Sequence, residues 1–237
     1  MEKSLTDQPN TDPGALLQDG AQILGLTLPA ATLEQFRLYL EELKRWNRRI
    51  NLTALRTDRD IIIKHFLDSL AILPFLGRPA SLADLGSGAG FPGLVLKLAR
   101  PETALTLVEA RGKKAAFLTY LVSLFNLTEV EVAQAHLTPG LARNWGPRFA
   151  GVVSRAAFAL SRFLELAAPL LLPGGRLMAL KGPALPAGEL EKANQSCPRH
   201  GLSSLRVQEY RLPLTGEPRL LVLAHRLANQ DFPKNGR

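Results

Sequence analysis

A single cysteine, Cys197, stands among 237 residues, which excludes an internal disulfide and any cysteine-cluster zinc site and suits a reducing compartment. Long apolar runs are missing as well: the richest stretch, from Phe163 to Leu172, contains Glu165 and Pro169 and follows Arg162, so nothing reaches transmembrane length. The polar start from Met1 to Pro13 lacks the basic region and apolar core of a signal peptide, and a cytoplasmic protein is expected. His136, His200 and His225 are scattered without metal-ligand spacing, so no metal is expected. His65, Asp68 and Ser69 lie close together but no Gly-x-Ser-x-Gly elbow accompanies them, which argues against a Ser-His-Asp hydrolase. Internal repeats are absent too.

Negative charge is in short supply. Twenty-nine Lys and Arg face 21 Asp and Glu, leaving a net charge of +8 and a pI of about 10.0. A polyanion is the natural partner, either nucleic acid or an anionic membrane surface, and composition alone does not choose between them. With 46% hydrophobic residues the chain can bury one substantial core with a small appended subdomain.

The most informative run is Asp84-Leu85-Gly86-Ser87-Gly88-Ala89-Gly90-Phe91-Pro92-Gly93, directly after the apolar residues from Ser81. It reads as a strand ending in a glycine turn that opens a helix, where backbone amides and bare Cα atoms let an adenosyl group approach. Two registers coexist, Gly86-x-Gly88-x-Gly90 and the dinucleotide-like Gly88-x-Gly90-x-x-Gly93. The second would serve a nicotinamide-dependent oxidoreductase, but an anion at Asp84 would repel a pyrophosphate. The same anion suits S-adenosylmethionine, which carries a sulfonium, an ammonium and no phosphate. The apolar run from Ala104 to Val108 ends at Glu109, at the distance expected of a ribose-binding carboxylate.

Residues 1–20 read as a mobile tail and 228–237 as a frayed end. Between them, 21–79 read as an N-terminal helical subdomain and 80–227 as an α/β cofactor-binding core. The Thr32/Gln35 capping pattern starts one helix, with Leu33, Phe36, Leu40 and Leu43 at helical spacing toward Trp46. A second is expected from about Asp58 to Leu73, stopped by Pro74. Strands are expected at 81–85, 104–109, 130–135, 151–154 and 176–181, with helices at 92–100, 113–126 and 160–172. That alternation predicts a parallel sheet covered on both faces, and the closely linked strands at 206–212 and 219–224 should pair antiparallel.

Several further motifs fall in order: Trp46-Asn47, Asn51-Leu52-Thr53, His65 with Leu67-Asp68-Ser69, Gly90-Phe91-Pro92-Gly93, Val153-Ser154-Arg155-Ala156 and Leu180-Lys181-Gly182. With the Asp84 to Gly93 run and Glu109, this set resembles the RsmG (glucose-inhibited division protein B) family over about residues 20–226. The resemblance implies a Rossmann-like class I methyltransferase fold, a mostly parallel seven-stranded sheet with an antiparallel last strand. It also implies methyl transfer from S-adenosylmethionine to N7 of a guanine in small-subunit (16S) ribosomal RNA, free or assembled into the subunit. Carried over by position, Gly86 and Phe91 contact the cofactor in the turn that also holds Gly88, and Glu109 meets the ribose. Leu137-Thr138 align with the adenine-side pair and Arg155 with the arginine after the fourth strand. Thr138 departs from the family's usual Glu and His136 from its usual Arg, so a backbone contact to the adenine survives here and a carboxylate contact does not.

Guanine N7 has a free lone pair and no proton, so no general base is required, only alignment of the acceptor with the breaking bond. The fourth strand accordingly ends in Val153-Ser154-Arg155-Ala156, not in the Asn/Asp-Pro-Pro-aromatic pattern of exocyclic-amine methylation. Arg155 and Lys181 are expected to position RNA phosphate or the nucleotide edge. Lys44 to Lys64 holds Lys44, Arg45, Arg48, Arg49, Arg56, Arg59 and Lys64 against only Asp58 and Asp60, a candidate RNA surface in which Arg45, Arg48 and Arg49 stand beside Trp46. The same stretch could be a solvated helix face, and Trp46 a core residue continuing the apolar stripe. Arg219 is an RNA-contact candidate through the family resemblance, or a charged edge residue. His65, Asp68 and Ser69 could line the pocket or form a satisfied polar patch beneath the cofactor loop. Nothing in the pattern requires more than a monomer. A cofactor-binding but catalytically silent RNA-associated module is the further alternative.

Overall fold

The computed structural model describes residues 12–228. Five strands, β1 (Ser81–Leu85), β2 (Ala104–Glu109), β3 (Val130–Gln134), β4 (Phe149–Arg155) and β5 (Leu171–Lys181), run parallel in the order β3-β2-β1-β4-β5. β7 (Pro218–His225) then pairs antiparallel with both β5 and the edge strand β6 (Arg206–Arg211), completing a seven-stranded sheet. This is the Rossmann-like class I methyltransferase architecture. Strand order reverses between β1 and β4, and open α/β sheets bind ligands beyond the carboxyl ends at such a point.

Strand pleat divides the core into two layers. Leu82, Leu105 and Leu107 point into one cluster with the N-terminal helices, α6 (Gly93–Ala99) and α7 (Gly112–Leu124). Ala83, Leu85 and Val108 point into the other, covered by α8 (Pro139–Trp145), α9 (Leu160–Ala167) and α10 (Glu189–Ser196). The N-terminal helices therefore share their apolar cluster with the nucleotide-fold helices: Tyr39 and Phe66 pack on Phe91 of the glycine loop.

The N-terminal tail expectation is corrected over residues 13–20, which form the start of α1 (Pro13–Ile23). The Asp12 side chain accepts from Ala15 N at 2.9 Å, Pro13 sits in the first turn, and Leu16, Leu17 and Ala21 are buried. The expected tails at 1–11 and 229–237 lie outside the described residues. α2 (Ala30–Asn47) begins before Thr32, after Pro29, so the capping-box pattern is not used. The helix expected from Asp58 is α3 (Asp58–Ile61), which widens into a π-helical turn, Ile62–Leu67, and resumes as α4 (Asp68–Leu70). Pro74 opens the short α5 (Leu73–Leu76) instead of ending its predecessor.

Candidate active site at the strand carboxyl ends

The ends of β1, β2 and β4 enclose a cleft of about 530 Å³. Its floor is the glycine loop. Gly86, Gly88 and Gly90 all have positive φ (74°, 59° and 99°), which only glycine adopts cheaply. A Cβ on Gly86 would lie 2.6 Å from that of Ala157, and one on Gly90 would lie 2.3 Å from the Tyr39 hydroxyl. At Gly88 it would meet nothing nearer than the Gly86 carbonyl at 3.9 Å, so this residue leaves open space where a ligand can lie.

Carboxylates hold the loop in place. Glu109 accepts from Gly88 N and Arg111 N, both at 2.8 Å, joining the end of β2 to the turn. Asp84 is fully buried and accepts from Gly93 N at 2.8 Å through Oδ2, while its Oδ1 has no partner. Burial raises its pKa to about 7, against the lowering pull of the Gly93 hydrogen bond. The expectation of Asp84 as a cleft-facing anion is thus corrected: it lies beneath the loop and anchors the start of α6. Its bond also places a carboxylate at the start of α6, the helix end that the dinucleotide register would offer to a pyrophosphate.

Phe91, at the back of the cleft, is the hub of a stack. His65 lies 4.5 Å from it at 25°, Tyr39 lies 5.5 Å away at 10°, and the Arg155 guanidinium stands 4.9 Å from the ring centre. Arg155 donates to the Lys64 carbonyl at 2.9 Å and pairs with Asp68 at 3.7 Å. Asp68 in turn accepts from Tyr210 of β6 at 2.6 Å. Burial raises the pKa of Asp68 and lowers that of Arg155, while each charge favours the other. The His65 Nε2 lies 2.7 Å from Thr53 Oγ1, and burial, aided by the Arg155 charge, brings its pKa down to about 3. A neutral imidazole results. Of the three clustered polar residues, His65 lines the cleft, while Asp68 and Ser69 are buried behind it and Ser69 donates to the His65 carbonyl.

The other candidates disperse. Gly86, Gly88, Phe91, Glu109 and Arg155 converge on the cleft. Leu137 and Thr138 do not line it: Leu137 packs in the core, and Thr138 caps α8 by accepting from Leu141 N, leaving His136 at the cleft wall. Lys181, expected to position RNA phosphate or the nucleotide edge, is instead already engaged within the fold, since it donates to the Phe158 carbonyl at 3.0 Å and to Glu189 at 3.1 Å. It lines a neighbouring groove of about 750 Å³ that shares Ala157 and Phe158 with the cleft. Arg45 pairs with Glu42 and donates to the Tyr120 hydroxyl, and Arg219 is held by Glu217. Arg48, the C-cap of α2, and Arg49, the residue after it, are exposed. The sequence reading missed Tyr39, Tyr210, Glu189 and Lys114. Only Lys114 carried a local signal, because it follows Glu109 at the start of α7. Among the described residues no His, Cys, Asp and Glu cluster could hold a metal, and no helix is long and apolar enough to cross a membrane.

A parallel sheet reversing at β1/β4, a glycine turn after β1 and a carboxylate ending β2 define the class I methyltransferase fold. A putative O-methyltransferase from Klebsiella pneumoniae shares it with a TM-score of 0.59 at 15% identity, covering 89% of this chain and 96% of that one. The GidB family model, described as rRNA small subunit methyltransferase G, matches residues 32–215, and the chain belongs to that family. The ribosomal RNA small subunit methyltransferase G of Geobacter sp. (strain M21) is 41% identical over 211 residues, covering 89% of this chain and 96% of the relative. That of Roseiflexus sp. (strain RS-1) is 40% identical over 215 residues, covering 90% and 91%.

Proposed function

We propose that this chain transfers the methyl group of S-adenosylmethionine to N7 of a guanine in small-subunit (16S) ribosomal RNA, acting as a cytoplasmic monomer. One observation carries the reading: a turn bare of side chains at Gly86 and Gly88 opens on a cleft with the Glu109 carboxylate at its edge. Open space at Gly88, rather than a blocking side chain, fits an adenosyl group, and Glu109 has the chemistry to accept from a ribose diol. The names of the family and of its relatives support the rRNA substrate.

The bound cofactor supplies an electrophilic methyl on a sulfonium; the protein's task is placement. Gly86, Gly88 and Phe91 hold the adenosyl end with Glu109. The backbone at His136, on the cleft wall, borders the adenine, so the departures at His136 and Thr138 do not remove that contact. Asp84 acts from behind by fixing Gly93. Arg155, already paired with Asp68, orders the cleft wall without placing an uncompensated cation beside a sulfonium. The adjoining groove past Ala157 and Phe158 receives the guanine, and Lys181, tied to Glu189, shapes its wall. Neither residue moves a proton, because N7 carries none. Exposed Arg48 and Arg49 meet RNA phosphate, while Arg45 and Arg219 contribute through their paired guanidinium groups.

Incubation with methyl-labelled cofactor and unmodified small ribosomal subunits, followed by nucleoside mass spectrometry, should yield 7-methylguanosine. Label on another nucleoside, or cofactor and RNA binding without any transfer, would overturn the reading.

A further inference from the structure

The end of α2 is unlike the rest of the surface. Arg45, Arg48 and Arg49 form a solvent-facing ridge opposite the buried Phe36, Tyr39, Leu40 and Leu43. One flank of the ridge, toward α7, holds a recess of about 340 Å³ lined by Arg45, Trp46, Arg49 and Ile50. Its wall is aromatic: Trp46 lies 5.4 Å from both Phe117 and Tyr120, and Arg45 stands 5.5 Å from the Tyr120 ring centre. The other flank holds a smaller recess of about 190 Å³, lined in part by Lys44, Arg48 and Arg56. Lys44 there is paired with Asp58 at 2.6 Å, whereas Arg48, Arg49 and Arg56 have no ion pair among the described residues. The Asn47 side chain holds the turn at Leu52 and Thr53 through three hydrogen bonds, which leaves the arginines as the charged groups to meet a ligand.

We infer that the end of α2 is a second RNA contact outside the methyl-transfer cleft, taking a single-stranded segment with one base in the Trp46 recess and its phosphates on Arg48 and Arg49. This rests on the proposed rRNA substrate. Charge selects a polyanion, and a partly open indole in a recess it shares with Arg45 and Arg49 offers a stacking surface that an unpaired base can reach and a paired one cannot. The site is also within reach of the cleft. Lys114 lines the cleft, and Tyr120, against Trp46, follows six residues along α7, about 9 Å away at helical rise. One strand can therefore engage both places.

The chain has two tryptophans, Trp46 and Trp145, so a Trp145→Phe background isolates the Trp46 fluorescence. Titrating this full-length variant with a ten-nucleotide single-stranded RNA should quench the fluorescence saturably. Adding Arg48→Ala and Arg49→Ala should weaken binding about tenfold and reduce the slope of log K against log salt by about 1.4, the effect of two phosphates at 0.7 each. S-adenosylhomocysteine calorimetry on the same protein checks that the fold is intact. An unquenched Trp46, an unchanged salt slope, or equal quenching by duplex RNA or inorganic polyphosphate would overturn the inference. Methylated guanine in small subunits without Trp46 quenching would sink this contact alone. Quenching without methyl transfer would sink the proposed reaction and leave the contact standing.

Discussion

The strand-end cleft and the end of α2 are built on opposite principles. At the floor and back of the cleft the charged groups are engaged by the fold: Glu109 with two backbone amides, Asp84 beneath the loop with Gly93, and Arg155 with the Lys64 carbonyl and Asp68. At α2 the guanidinium groups of Arg48 and Arg49 stand in solvent. Buried, satisfied networks hold one geometry and are little screened by salt, whereas exposed charges act at longer range and fade with ionic strength. The cleft is thus suited to a small ligand of fixed shape, and the helix end to a flexible polyanion.

The sharpest break in that contrast would come from the glycine loop itself. Gly86→Ala places a methyl 2.6 Å from Ala157 at φ 74°, and we expect a loss of roughly 3 kcal/mol in stability together with cofactor binding. Gly88→Ala meets open space and should cost only about 1 kcal/mol, while weakening S-adenosylhomocysteine at least as much. Thermal unfolding beside calorimetry separates the two, and equal destabilisation would mean that the loop is not packed as described.

Next in size is Arg155→Ala, which strands the buried Asp68 and should cost about 3 kcal/mol. Cofactor affinity should fall tenfold or more. Lys181→Ala, by contrast, should lower kcat/KM for RNA while leaving cofactor affinity within about twofold. Parallel loss of cofactor binding in both variants would erase the distinction between cleft and groove.

Two buried titrations, one at the cleft wall and one beneath its floor, should also oppose one another. Asp84 has a folded pKa of about 7 against an ordinary 3.8, so its contribution to stability is full below pH 3.8 and is lost as pH rises through 7. His65 has a folded pKa of about 3 against 6.5, so its contribution is full above pH 6.5 and is lost as pH falls toward 3. In Asp84→Asn the His65 slope is unopposed, and the thermal midpoint should climb more steeply between about pH 4.5 and 6.5 than in the parent. An unchanged profile would place Asp84 in contact with water.

The smallest effect concerns salt. Raising it from about 50 to 200 mM should weaken RNA binding roughly tenfold while leaving S-adenosylhomocysteine affinity nearly constant, as filter binding and calorimetry would show.

Local chemistry explains which parts could be read in advance. Asp84 to Gly93 is legible because a strand-to-helix turn at positive φ leaves few residue choices, and parallel strands betray themselves as short apolar runs. α1 escaped because its Pro, Asp, Gln and Gly content looks like a tail, although Asp12-Pro13 is itself a helix-start signal. Thr138-Pro139 carries the same signal for α8, whereas alignment with the family points there to a ligand contact. Lys181 and Asp84 are read from their charge and their places at strand ends, whereas the partners that redirect them, Glu189 and the Gly93 amide, come from the folded chain. Tyr210 lies 142 positions from Asp68, a contact that no periodicity foretells.

The wide turn at Ile62–Leu67 bears on how this scaffold tolerates change. A π turn absorbs one surplus residue, so a single-codon deletion inside it would restore ordinary winding while leaving Asp68 and the residues after it in nearly the same phase. The same deletion in an ordinary helical turn has no such slack and would rotate everything beyond it by roughly 100°. Indel scanning should therefore find Ile62–Leu67 more forgiving of a one-residue loss than the helical turns that flank it.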